Sequence, residues 1–436
     1  MFTHISQITP IFIGFSFIIL LWIETAIFML PHCFISHKGC ALGDALFNAA
    51  STLCSTGTLS IPYESFSFLG KILFLIMIQI GGVGLITLII GVAVFITKKN
   101  MFLFTFAADI FDIEGRKKII ECAKVMFISI ITIESLGMIA CKVISYYSNN
   151  YCSWFDALFY SIDFFCNAGF SVHNNNLLWL LNTNAHFIFG SLLIILGSLG
   201  FIFLFEVIEK FILKTREKFS FTVKLIVWGY GISTSIGWFL YWYYYEQNTP
   251  LMYGLGRSLF AAVSLRNCGF LPYDIAFFTK SGFVWTALYS ILGGCPLSTG
   301  GGIKNSAVVI FFATIYSIIM QKDQTIIFKK KVSSNVILYT FFVVIYIIFG
   351  ALIITNILNN LLMEEFDYGI LFSNIISMIT GSGLLWDTIS QYSQFVRMVF
   401  VIAMCYGKFG ITFFMLRSTL KKNRSIIYPE EKIILL

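Results

Sequence analysis

The chain has 436 residues, 58% of them hydrophobic and only 12% charged, with a formal net charge of +7. Soluble domains carry about 25% charged residues, so this composition excludes a water-exposed globular surface and describes a polytopic membrane protein. Nor does the positive charge gather on one soluble face, as nucleic-acid binding requires; it falls in four separate segments, 98–118, 210–224, 322–331 and 417–432.

Taken in order, residues 8–31 form the first spanning helix; with no basic flank and no small-residue cleavage site before it, it reads as a retained helix. The apolar segment 44–54 is too short to span and runs into Ser55-Thr56-Gly57-Thr58, after which 69–97 crosses back to the first basic cluster. The same order then recurs. Residues 118–147, the short segment 155–166, Asn167-Ala168-Gly169-Phe170 and 185–213 make the second round. Residues 222–245, 256–266, Asn267-Cys268-Gly269-Phe270 and 282–320 make the third, and 334–362, 368–379, Gly381-Ser382-Gly383-Leu384 and 394–416 the fourth. Basic clusters close each round, and by the positive-inside rule they mark the cytoplasmic side.

The expected fold is therefore an all-α polytopic membrane protein with eight spanning helices and four re-entrant pore helices, arranged as four parallel M1–P–M2 (helix–pore loop–helix) repeats around a central pore. The repeats cover 1–97, 118–213, 222–320 and 334–416; 98–117, 214–221 and 321–333 are cytoplasmic linkers, and 417–436 is a basic cytoplasmic tail. Both termini are expected in the cytoplasm, with the chain in the cell membrane.

Non-helical backbone at membrane depth leaves polar groups that lipid cannot satisfy, and it is tolerated where it lines a water-filled path. Four glycine loops meeting on one axis can offer carbonyl oxygens in place of a cation's hydration shell. The candidate filter is Ser55, Thr56 and Gly57; Asn167, Ala168 and Gly169; Asn267, Cys268 and Gly269; and Gly381, Ser382 and Gly383, where both glycines compete for the filter position and Gly383 is preferred because Leu384 follows it. Asp156 reads as a cap of its short helix.

A second feature interrupts the sixth long helix: Gly293, Gly294, Cys295, Pro296, Leu297, Ser298, Thr299, Gly300, Gly301, Gly302, Ile303 and Lys304. Proline and three successive glycines break a helix, and an irregular segment in a pore is a candidate gate. It has neither the Walker A spacing nor the strand–helix setting of a dinucleotide loop, so no nucleotide site is expected on this chain. Lys408 lies within the last spanning segment, where it can set an electrostatic barrier or snorkel to the interface. Glu206 is expected at the cytoplasmic end of its helix. Ten cysteines and five scattered histidines show no zinc-ligand spacing and no convergent acid–base group, which argues against an enzyme; Cys33 and Cys40, both outside the cytoplasm, can pair.

Asn167-Ala168-Gly169-Phe170, Asn267-Cys268-Gly269-Phe270, Ile78-Gln79-Ile80-Gly81-Gly82-Val83-Gly84 and the stretch from Gly293 to Lys304 together resemble the superfamily of potassium transporters that includes the bacterial KtrB and TrkH subunits and the fungal and plant Trk/HKT proteins. The absence of two additional N-terminal helices is closer to KtrB. Against the family pattern, Thr58 replaces an apolar residue, Asn267-Cys268 replaces a Thr-Ala pair, and Lys408 stands where many members carry Arg. The resemblance implies K⁺ as the transported ion, no cofactor on this chain, a homodimer with one pore per protomer in membrane lipid, and a cytoplasmic KtrA/TrkA-like NAD- or ATP-binding regulatory subunit. Plant relatives that carry sodium have serine at the first filter glycine; Gly57 here favours potassium. A sodium-conducting or sodium-coupled carrier on the same scaffold is the alternative.

Overall fold

The computed structural model describes residues 2–84, 116–149, 151–172, 183–273, 278–361, 367–386 and 389–419. The first quarter holds α1 (Phe2–Phe28), α2 (Leu42–Cys54) and α3 (Phe68–Val83). The second holds α4 (Arg116–Tyr147), α5 (Trp154–Cys166), α6 (Asn184–Leu199) and α7 (Phe201–Phe211). The third holds α8 (Phe221–Tyr245), α9 (Leu251–Asn267), α10 (Lys280–Ser290) and α11 (Asn305–Ile319); the last holds α12 (Ser334–Leu361), α13 (Tyr368–Thr380) and α14 (Gln394–Thr419). Residues 85–97 of the expected second span, and the first and last basic segments almost entirely, lie outside the described residues.

Among the described residues, Lys117–Tyr147, Phe221–Tyr245 and Ser334–Leu361 are each long and apolar enough to cross a membrane, and the bent pair α6–α7 is a fourth candidate. These helices turn large apolar side chains outward, among them Ile128, Trp228 and Ile345. The short helices do the opposite. Helix α2 buries Gly43, Ala45 and every residue from Phe47 to Cys54, and α5, α9 and α13 are buried along most of their length. At 1.5 Å per residue a thirteen-residue helix reaches about 20 Å and the seventeen residues of α9 about 26 Å, both short of a bilayer's hydrocarbon core, so these four are central rather than spanning.

Capping fixes where the short helices start. Ser153 and Asp156 form a reciprocal capping box at α5, with the Ser153 hydroxyl accepting the Asp156 N–H at 3.0 Å and the Asp156 carboxylate accepting the Ser153 N–H at 3.2 Å. Asp367 caps α13 through the Gly369 N–H at 2.9 Å. Helix α9 begins at Leu251 behind Pro250, five residues before the expected start at 256, because proline at the cap gives up no helical hydrogen bond.

The packing order is cyclic. Each short helix lies against the long helix before it and the helix after it: α2 on α1 and α3, α5 on α4 and α6, α9 on α8 and α10, α13 on α12 and α14. Each also meets the return helix of the preceding quarter: α5 meets α3, α9 meets α6, α13 meets α10, and α2 meets α14. The last contact closes the circle, and the Asp44–Arg397 ion pair lies on it.

Three details depart from the sequence expectation. The segment 185–213 is not one continuous helix, since α6 and α7 meet at 95°. A two-stranded antiparallel hairpin, β1 (Ile326–Ile327) and β2 (Lys330–Lys331), turns at Phe328 and Lys329, so the 321–333 segment is not wholly irregular and the chain not strictly all-α. Cys33 and Cys40 are free thiols, with Cys33 buried.

Candidate ion pathway

The four short helices end in loops of shared geometry. Helix α2 ends on Ser55, α5 on Asn167 and α13 on Gly381, each left-handed with φ of 55°, 53° and 70°. Two residues on, Gly57, Gly169 and Gly383 have φ of 84°, 81° and 68°. The third loop differs: Cys268 caps α9 with φ of −114°, and only Gly269, at φ of 70°, takes the left-handed region. Gly381 thus holds the cap position of Ser55 and Asn167, while Gly383 matches Gly57 and Gly169.

The glycines also lock the loops to one another. A Cβ on Gly57 would stand 2.5 Å from the Ala168 carbonyl oxygen. On Gly169 it would overlap the carbonyl of Cys268, on Gly269 that of Ser382, and on Gly383 that of Thr56. Each glycine therefore abuts the carbonyl just before the glycine of the next loop, and the fourth abuts the first. Four backbones form a closed ring that no side chain can enter.

Behind the ring the loops hang on their own helices. The N–H of Thr56 donates to the Ser51 carbonyl at 2.8 Å, that of Ala168 to Asp163 at 3.0 Å, that of Gly269 to Ser264 at 2.8 Å and that of Ser382 to Ser377 at 3.0 Å. Side chains add two further tiers. The Thr58 N–H donates to Ser51 Oγ and the Phe170 N–H to Asp163 Oδ1, each at 3.0 Å. Nine residues before each loop glycine, Asn48 accepts the Ser60 N–H at 2.9 Å, Tyr160 the Val172 N–H at 3.4 Å and Asn374 the Trp386 N–H at 3.1 Å. The corresponding pair in the third loop is Phe260 and Pro272, with neither acceptor nor N–H. Sequence reading did not find Asn48, Tyr160, Asp163 or Asn374; the fixed spacing from the loop glycines was the available signal.

The glycine-rich break between α10 and α11 lies directly against the ends of the short helices. Thr299 Oγ1 donates to the Phe165 carbonyl at 2.9 Å and accepts from the Asn167 amide. A Cβ on Gly300 would stand 3.1 Å from Asn267 Oδ1, and one on Gly301 would overlap the Thr380 carbonyl. The ends of α5, α9 and α13 therefore all meet this segment. At the end of α2, Lys408 Nζ lies 3.4 Å from the Cys54 carbonyl. Lys304 Nζ donates to the Gly300 carbonyl at 2.8 Å and is within electrostatic reach of Lys408. Gly294, Cys295, Pro296, Leu297, Ser298, Thr299, Gly300, Gly301 and Gly302 thus fall in one compact turn, held inside by Gly293 N–H to Ile303 O and Gly294 N–H to Gly301 O, each at 3.0 Å.

Three main-chain hydrogen bonds join this turn to the α6–α7 break: Cys295 N–H to Ser198 O at 2.9 Å, Thr299 N–H to Gly197 O at 3.2 Å, and Phe201 N–H to Leu297 O at 3.0 Å. Gly200, with φ of 84°, makes the corner. At the far end of α7, Arg216 pairs with both Glu206 and Glu209, at 2.5 and 2.9 Å, so Glu206 is a paired group.

Several buried oxygens of the ring and the turn have no hydrogen-bond partner among the described residues, namely Ser55 Oγ, Thr56 Oγ1, Asn267 Oδ1 and Ser298 Oγ. Buried oxygens without partners are costly unless water or a cation meets them, so the setting suits a hydrated cation path.

The sequence profile of the family described as "TrkH: Cation transport protein" matches residues 11–227 and 247–428. The chain belongs to that family. It is similar to the Ktr system potassium uptake protein B of Bacillus subtilis, 30% identical over 311 residues that cover 68% of this chain and 67% of the relative. It is also similar to the potassium/sodium uptake protein NtpJ of Enterococcus hirae, 27% identical over 320 residues that cover 70% and 68%. In three dimensions it resembles the potassium transporter TrkH from Vibrio parahaemolyticus, with a TM-score of 0.67 at 17% identity over 92% of this chain and 84% of that one. The TrkH family is one of membrane transporters, not of enzymes, and the mostly helical chain shares the TrkH fold.

Proposed function

We propose that this chain is the membrane subunit of a K⁺ uptake system, with the four-loop ring as its selectivity filter. The observation that carries the reading is the cyclic seating of Gly57, Gly169, Gly269 and Gly383 on the carbonyls of Ala168, Cys268, Ser382 and Thr56. Tight seating without side chains lets four backbones approach one axis, where carbonyls replace hydration water. The short helices end at the ring, and the negative ends of their dipoles favour a cation there. In this reading the four quarters are M1–P–M2 repeats with the boundaries given above, and both termini are cytoplasmic.

K⁺ sheds part of its hydration at Ser55–Gly57, Asn167–Gly169, Asn267–Gly269 and Ser382–Gly383, then moves inward. Below, the turn from Gly294 to Gly302 blocks the path, and Lys304 and Lys408 add positive charge that an ion must pass. Opening requires the turn to leave the ends of α5, α9 and α13. The membrane potential supplies about 2.3 kcal/mol per charge per 100 mV, which suffices for accumulation without chemical fuel. The functional unit is a homodimer in lipid, and a cytoplasmic NAD- or ATP-binding subunit controls the turn; the name of the Bacillus relative, a Ktr system protein, supports a multi-component assembly.

The test is ion uptake by purified chain in vesicles with K⁺, Na⁺ and Rb⁺ in competition, alongside rescue of a strain that lacks K⁺ uptake. K⁺-selective flux and rescue are expected. The name of the Enterococcus relative, a potassium/sodium uptake protein, favours testing a second reading, Na⁺ conduction or coupling. Na⁺ flux without K⁺ rescue would establish that reading instead.

A further inference from the structure

The third quarter differs electrically from the other three. Helix α9 is the only one of the four short helices with a basic residue in its last turn, Arg266, three residues before Gly269. The same register position is Cys54, Cys166 and Thr380 in the other loops. Arg266 is fully buried. Its Nη1 donates to Ser233 Oγ at 2.6 Å and to Thr234 Oγ1 at 3.2 Å, and its guanidinium carbon lies 4.0 Å from the centre of the Tyr230 ring. These three are neutral and belong to α8, and the neutral Tyr289 of α10 is a further partner of the guanidinium. Its Nε and Nη2 have no hydrogen-bond partner of good geometry among the described residues.

Loop polarity follows the same pattern. Loops one, two and four are held by side-chain acceptors on backbone N–H groups, through Asn48, Ser51, Tyr160, Asp163 and Asn374. The third loop is held by donors on carbonyls: Ser264 Oγ to the Phe270 carbonyl, and Arg257 Nε to the Pro272 carbonyl at 2.8 Å. Arg257 has a counter-ion in Glu246, 3.7 Å away. No salt bridge to Arg266 is present among the described residues.

An arginine side chain does not deprotonate in a protein. A full positive charge therefore sits where the half-charge of the α9 dipole is negative, and it outweighs that half-charge. The guanidinium is directed to α8, so it acts through its field.

We propose that Arg266 is an affinity-setting residue, a permanent charge that makes the third quadrant of the ring unattractive to cations and so speeds ion release. Conduction needs a site that binds an ion well enough to admit it and weakly enough to let it go. The ends of α5 and α13 attract a cation, while positive charge flanks α9 and, through Lys408, meets the end of α2, and that imbalance meets the need. The inference rests on the filter reading above, and it differs from the Lys408 barrier because Lys408 meets the end of α2, while Arg266 flanks α9.

The experiment measures K⁺ uptake kinetics in reconstituted vesicles, with K⁺ binding to the purified full chain as a second readout. Arg266→Gln and Arg266→Met both remove the charge, but only glutamine can keep the hydrogen bonds to α8. Both are expected to lower KM and the K⁺ dissociation constant about five- to tenfold and to lower the maximal rate, on the scale of one unit charge acting across protein. Arg266→Lys keeps the charge and retains the high KM. Should the neutral variants fail to reach the membrane, Ser233→Asp sets a carboxylate beside the native guanidinium and is expected to lower KM likewise. Normal membrane levels with KM within twofold of wild type, in the neutral variants or in Ser233→Asp, overturn the proposal. So does a shift in Met that Gln rescues, which would assign the effect to hydrogen bonding. A wild-type chain that neither binds nor passes K⁺ overturns this proposal together with the filter reading; a competent wild type with unmoved variants overturns this one alone.

Discussion

Gly383 sits so close to the carbonyl of Thr56 that a Cβ would overlap it, although 326 positions separate the two residues. Gly381, two residues earlier, is much freer: its nearest neighbour would be the Cys54 carbonyl, 3.3 Å from a Cβ. Of these two glycines the sequence favours Gly383, because Leu384 follows it, and the close approach to Thr56 agrees with that preference. Gly381→Asn is expected to keep K⁺ uptake within about threefold, because asparagine already holds the left-handed cap position at Asn167 and tolerates it. Gly383→Asn is expected to abolish selective uptake. Rb⁺ flux with K⁺ or Na⁺ as competitor distinguishes them, and equal loss in both variants would contradict the register.

Asn48→Leu and Asn374→Leu should loosen the ring from behind. Each leaves a backbone N–H, of Ser60 or Trp386, without its acceptor, a cost of about 1–3 kcal/mol for a buried group. The expected outcome is a lower melting temperature in detergent and a K⁺/Na⁺ uptake ratio reduced severalfold. Phe260→Leu, at the corresponding position of the third loop, breaks no such bond, since Pro272 has no N–H to donate; its selectivity should stay at the wild-type value.

Thr299→Val removes the hydroxyl that links the glycine-rich turn to Phe165 and Asn167. Losing about 1 kcal/mol from the closed state corresponds to roughly a fivefold shift in its population. Flux in vesicles that contain only this chain should rise by about that factor. A fall in flux would mean that the contact supports the open path.

Lys408→Gln takes away the ammonium beside the Cys54 carbonyl at the end of α2. An increased maximal K⁺ flux is expected, together with weaker dependence on membrane voltage, measured by clamping vesicles with an ionophore. Unchanged flux would assign Lys408 a packing role.

The family, the four loops and the broken third return helix were all legible because each rests on a local signal: a glycine at fixed distance from a short apolar run, or proline among glycines. What was not legible depends on partners distant in sequence. Gly200 stands in the apolar run Leu199-Gly200-Phe201-Ile202, where a single glycine costs a helix only about 1 kcal/mol. The corner forms there because the Leu297 carbonyl, from another quarter, takes the Phe201 N–H. The hairpin turn at Phe328 and Lys329 uses positive φ without glycine or asparagine, so no turn residue announced it. Arg266 was passed over for a different reason: a lone charge beside a loop motif looks like surface until Tyr230, Ser233 and Thr234 enclose it.

The hydrogen bonds that join the α6–α7 corner to the glycine-rich turn run between main-chain atoms, at Cys295–Ser198, Thr299–Gly197 and Phe201–Leu297. If the turn is the gate, as proposed above, these bonds tie it through the backbone to α7, whose far end bears the Arg216 cluster. At Ser198, Phe201, Cys295 and Leu297 a changed side chain leaves these N–H and C=O groups in place, whereas at Gly197 and Gly200 a Cβ would meet neighbouring backbone. Proline at Phe201 or Cys295 removes the donating N–H itself, so comparing proline with alanine at these two positions isolates the main-chain link.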